Sequence, residues 1–90
     1  MRVALICIDK EASLEIRKAN REAHLAYIAA TGVVEMAGPF LTETGDMAGS
    51  LVVLDVADLQ AARDWAEADP YAKAGLFHSV DIREWKKVIG

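Results

Sequence analysis

The chain has 90 residues, 53% of them hydrophobic, with one cysteine and a net charge of −4. This length allows a single domain with a modest core, the apolar content excludes disorder, and the negative charge argues against nucleic acid or an anionic membrane as the main partner. The lone Cys7 cannot form an internal disulfide, and the apolar run Val3–Ile8 is too short for a signal-peptide core or a membrane span, so a cytoplasmic location is the expectation.

In chain order, Val3 to Ile8 predicts a strand that is apolar on both faces, so both faces need covering. Residues 13–31 predict a long helix, with Ser13 at its N-cap and Gly32 just past its end. Val33–Leu41 predicts a second strand, interrupted or ended near Gly38-Pro39, and Thr42–Met47 a turn around Gly45-Asp46. Gly49–Val56 predicts a third strand, again apolar on both faces. Asp58 N-caps a second helix running to about Ala68. Asp69 caps one further turn that begins at Pro70 and ends at Gly75. Leu76 to about Trp85 predicts the fourth strand, and Lys86-Lys87 opens a short basic tail.

The order βαββαβ is the ferredoxin-like α+β arrangement, a four-stranded antiparallel sheet with two helices on one face. Two helices cover one face only. The apolar second face calls for another copy of the same sheet, so a homodimer is expected.

On a wheel of about 100° per residue, Glu15, Lys18 and Glu22 share the water face of the first helix. Leu14, Leu25 and Ile28 form one apolar cluster, and Ile16, Ala23 and Tyr27 another. His24 falls between them, flanked by Arg17 and Arg21. Burying an imidazole and two guanidinium groups is costly unless each has a partner. Either the arginines reach the rim and His24 bonds a backbone carbonyl, or the three wall a cleft. In the second helix Leu59, Ala62 and Ala66 mark the inner stripe, with Trp65 beside it, and Asp69 continues that stripe. An Asp before Pro is more often a cap than a catalyst. An inward Asp69 and an inward His24 could nevertheless meet at one end of the helical layer, where the carboxylate would fix the imidazole tautomer.

Other residues carry weaker signals. Tyr71 closes the pocket by packing or offers its hydroxyl, with packing favoured. Ser50 either lines the cleft or is a solvent hydroxyl at a strand start. Cys7, mid-strand among apolar neighbours, reads as inert packing. His24, Asp69 and His78 lack the spacing of a metal set, and no glycine-rich nucleotide loop is present, so neither metal nor cofactor is expected.

The segments "SLEIRKANREAHLAYI", "AGPF", "GSLVVLDV" and "ADPYAKAGLF" follow one another at spacings that resemble the YciI-like, or YCII-related, family across nearly the whole chain. The resemblance implies a dimeric α+β barrel and an active site centred on His24 and Asp69. Related groups include muconolactone isomerase-like proteins, and some members are linked to degradation of chlorinated aromatic compounds. The family often has Pro before the Ala-His pair and near the end of the last strand, where this chain has Glu22 and Glu84.

The expected function is therefore acid/base chemistry without a cofactor, of isomerase, lyase or dehalogenation type, on a small anionic molecule. His24 would transfer the proton, Asp69 would orient it, and Arg17, Arg21, Ser50 and Tyr71 would bind substrate. The alternative is a non-catalytic dimeric module that holds a metabolite in the same pocket.

Overall fold

The two strands with apolar residues on both sides become the two interior strands of the sheet. A computed structural model describes residues 1–90 as β1 (Arg2–Asp9), α1 (Leu14–Thr31), β2 (Val34–Leu41), β3 (Met47–Asp55), α2 (Leu59–Ala68), α3 (Pro70–Lys73) and β4 (Phe77–Glu84). The strand order is β2-β3-β1-β4 and every pairing is antiparallel.

The register opposes Val3 to Leu54, Leu5 to Val52 and Cys7 to Ser50. These residues point toward the helices. Val3, Leu5, Cys7, Val52 and Leu54 form the core with Ala62 and Trp65 of α2. Gly49 stands against the carbonyl of Cys7, where any Cβ would overlap it, so glycine lets β3 close on β1 and carry Ser50 to its place.

β2 runs unbroken through Gly38-Pro39, contrary to the expected interruption. It is an edge strand, and an edge tolerates a residue with no N–H to donate. β3 starts two residues before the expected Gly49, which moves Ser50 from a strand start to the strand interior.

Ser13 holds the N-cap position of α1, but its hydroxyl donates to the Glu11 carbonyl (3.2 Å) and caps nothing. Gly32 ends the helix at φ +65°, its N–H donating to the Ile28 carbonyl. The inward face of α1 is narrower than the wheel suggests. Only Arg17 and His24 are buried, Tyr27, Ile28 and Thr31 are half-buried, and Ile16, Ala23 and Leu25 remain exposed. The reason is that α1 packs chiefly against α3, through Arg17 and His24 on the ring of Tyr71, rather than flat on the sheet. α1 is tied to α2 by Trp65 Nε1, which donates to Thr31 Oγ1 (2.9 Å), and by the Tyr27 hydroxyl, which donates to the Trp65 carbonyl (2.8 Å).

The sheet face turned from the helices is uncovered in the single chain. Ile8, Met36 and Phe40 are 42%, 50% and 37% exposed there, around half-buried Ile6 and Leu51. No helix is long and apolar enough to cross a membrane.

Candidate active site

Asp69 is the hinge between α2 and α3. Its extended backbone (φ −60°, ψ 127°) ends one helix, and Pro70 at the first position starts the next. Asp69 Oδ1 accepts the N–H of Tyr71 (3.0 Å), which is the cap. The same oxygen lies 2.8 Å from His24 Nδ1. The two roles do not divide between the two carboxylate oxygens; the two lone pairs of one oxygen serve both. An ionised carboxylate can only accept, so the imidazole carries its proton on Nδ1 and keeps Nε2 for a ligand.

Both side chains of this pair are nearly buried, and they are held from other directions. The His24 ring stacks on Tyr71, with centroids 3.9 Å apart and planes at 15°. Tyr71 meets the edge of Phe77 at 6.1 Å. The Tyr71 hydroxyl is pushed above the usual tyrosine range, chiefly by burial, against the opposing pull of Arg17 and Arg21. The hydroxyl therefore stays neutral.

Arg17 and Arg21 part company. Arg17 is buried and lines the inner part of the site. Its Nε donates to Asp9 Oδ2 (2.8 Å), and Nη2 donates to Asp9 Oδ1 (2.9 Å) and to Ser50 Oγ (2.9 Å). Its guanidinium carbon sits 4.7 Å from the centre of the Tyr71 ring. Burial alone would lower the Arg17 pKa, but the Asp9 carboxylate together with Tyr71 raises it above the ordinary value, so the charge is held. Arg21 is exposed at the rim and has no carboxylate within ion-pair distance. It is the free cation of the site.

Asp9 is the residue that the sequence reading missed. The signal was available in principle: a buried arginine requires a buried anion, and Asp9 ends the apolar strand β1 just before the loop into α1.

A cleft of about 190 Å³ lies between α1 and the β2 edge, walled by Arg17, Arg21, His24 and Ile28 of α1, Pro39 of β2, Ser50 and Val52 of β3, and Tyr71. An apolar cavity of about 150 Å³ accommodates benzene, so one substituted ring is the scale of ligand that fits. Cys7 lies on the same sheet face, opposite Ser50, and burial foremost, then Asp69, pushes its thiol up to about 12. The neutral thiol is the favoured form there. His78 is exposed on β4, outside the cleft. No three His, Cys, Asp or Glu side chains converge in metal-binding geometry.

Protein YciI of Escherichia coli O6:H1 (strain CFT073) is 38% identical to this chain over 89 residues, covering 89% of the chain and 91% of that protein. An uncharacterized protein of Haemophilus influenzae (strain KW20 / Rd) is 40% identical over 86 residues, covering 84% and 87%. Among solved structures, 5-chloro-2-hydroxyhydroquinone dehydrochlorinase (TftG) from Burkholderia phenoliruptrix AC1100, in complex with 2,5-dihydroxybenzoquinone, matches with a TM-score of 0.86 and 32% identity over 96% of this chain and 94% of that one. The model of the YCII-related domain matches residues 1–86, and with relatives this similar over most of their length, the chain belongs to the YCII-related domain family.

Proposed function

We propose that this protein is an enzyme of general acid–base chemistry acting on a small anionic ring compound, with His24 Nε2 as the group that moves the proton. The observation that carries this reading is the 2.8 Å contact between His24 Nδ1 and Asp69 on the wall of a ring-sized cleft that also holds an unpaired cation, Arg21. In an elimination from the ring's keto tautomer, where the chlorine-bearing carbon is tetrahedral, Nε2 takes the proton of the conjugated hydroxyl, the O–H pair becomes a carbonyl, the ring double bond shifts toward the chlorine-bearing carbon, and chloride departs with its own pair. Asp69 offsets the charge that develops on the imidazolium, and Arg21 with the Tyr71 hydroxyl holds the substrate oxyanion. The similarity to a dehydrochlorinase supports loss of HCl from a chlorinated hydroxyhydroquinone as the first reaction to try. The working unit we infer is a homodimer packed through the uncovered sheet face.

The test is chloride release from 5-chloro-2-hydroxyhydroquinone under anaerobic conditions, with His24→Gln as control. Release above the buffer rate that disappears in His24→Gln supports the enzyme. No release, together with saturable binding of 2,5-dihydroxybenzoquinone, turns the reading to a metabolite-binding module.

A further inference from the structure

Asp9 does not line the cleft that His24 lines, and its carboxylate is only 5% exposed. Its two oxygens receive Nε and Nη2 of Arg17 at 2.8 and 2.9 Å. Such a fork does more than neutralise a cation: it fixes the plane of the guanidinium. Ser50 takes a further N–H of the same group at 2.9 Å, and the guanidinium carbon lies over the Tyr71 ring, 4.7 Å from its centre. Seven residues, about 10.5 Å of helical rise, separate Arg17 from His24 on α1, and both side chains contact the same ring, that of Tyr71.

The single hydrogen bond from His24 to Asp69 fixes the position of Nδ1 but leaves the ring free to swing about it. The stack on Tyr71 supplies the missing constraint, because it sets the plane of the imidazole and so the direction of Nε2. Tyr71 is in turn held by Arg17, and Arg17 by Asp9. We infer that Asp9 is a positioning residue for His24, acting through Arg17 and Tyr71 without touching substrate. The inference rests on His24 being the proton-transfer group.

Because the chain has only two histidines and His78 is exposed, proton NMR of the imidazoles reads His24 against an internal reference. In the native protein the Tyr71 ring current should move the His24 ring protons upfield of those of His78. Asp9→Asn keeps the size of the side chain but loses the charge and the symmetric fork. It should move the His24 resonances back toward the His78 positions and lower kcat about tenfold or more, with KM within about twofold. Asp9→Glu should recover part of both. Asp9→Asn leaves a buried cation without its anion, so the double variant Asp9→Asn/Arg17→Gln, which strands no charge, is measured beside it. A folded Asp9→Asn or double variant with unchanged His24 shifts overturns the inference. If neither variant folds, Asp9 is a residue of the core alone and the inference also fails. The NMR readout needs no substrate, so it stands even if His24→Gln shows that no tested turnover depends on His24.

Discussion

His24 and Asp69 are 45 residues apart in the sequence, yet His24 Nδ1 and the Tyr71 backbone N–H converge on one oxygen of Asp69, at 2.8 and 3.0 Å. The residue that shapes the turn between α2 and α3 is thus also the residue that holds the imidazole. Asp69→Asn separates these roles. Asn caps a helix about as well as Asp, so stability should fall by about 1 kcal/mol or less by urea denaturation. An amide cannot offset a developing imidazolium charge, so kcat should fall by about 10²–10⁴-fold. Equal activity in Asp69→Asn would show that the carboxylate serves the turn alone.

Much of this arrangement is legible in the sequence because it follows from periodicity. Two-sided apolar strands must lie inside a sheet, and β1 and β3 do. The inner stripe of α2 runs on to Asp69, and His24 sits opposite the glutamates of α1. What periodicity cannot give is the partner of a buried charge. The wheel treats Arg17 and Arg21 alike, since they are one turn apart, and only the position of Asp9 at the end of β1 separates them. Nor does a wheel know that α1 lies against α3, so Leu25 and Ile16, which the apolar pattern groups beside His24, are exposed.

That separation gives opposite outcomes for two similar substitutions. Arg21→Ala removes an exposed cation with no ion partner, so the melting temperature should hardly change, while affinity for an anionic ligand should fall about 10- to 100-fold, the value of a charge-assisted hydrogen bond. Arg17→Ala strands the buried Asp9 carboxylate, and about 3–5 kcal/mol of stability should be lost. Calorimetry of 2,5-dihydroxybenzoquinone binding and thermal melts on the pair check both. A large stability loss in Arg21→Ala, or none in Arg17→Ala, would reverse the assignment.

Cys7 gives a pH prediction. Its thiol is raised from the ordinary 9.0 to about 12, foremost by burial. In the unfolded chain the thiol ionises first, so its contribution to stability is full below about pH 9 and is lost as pH rises from there through about 12. Cys7→Val lacks this titration, while raised Tyr27 and Tyr71 remain in both proteins. Urea midpoints of the native protein should therefore fall more steeply than those of Cys7→Val between pH 9 and 11. Parallel slopes would mean that the thiol is not held neutral by the fold. Alkylation of the native protein should also remain slow across neutral pH, because the reactive thiolate is scarcely populated.

The uncovered sheet face gives the last prediction. In a chain of this size the helices bury one side of β1 and β3 and leave an apolar surface of Ile6, Ile8, Leu51, Met36 and Phe40 on the other. Patches of this kind on small domains are covered by association, and a two-fold pairing lets the same surface meet itself. Sedimentation of the native protein should give a dimer at micromolar concentration, with a melting temperature that rises with concentration. Met36 tests the interface with little cost to the fold, because it is 50% exposed on the edge strand β2 of the single chain. Met36→Asp should place two like charges in the buried seam, giving a monomer whose melting temperature no longer depends on concentration. The cleft shares its β2 wall, Ala37 to Pro39, with the hollow beside Met36 and Phe40 on the open face. Losing the partner should therefore loosen that wall and weaken ligand binding even though Met36 does not line the cleft. A native protein that sediments as a monomer at every concentration removes the dimer. A monomeric Met36→Asp that binds ligand as tightly as the native protein removes the coupling between the interface and the site.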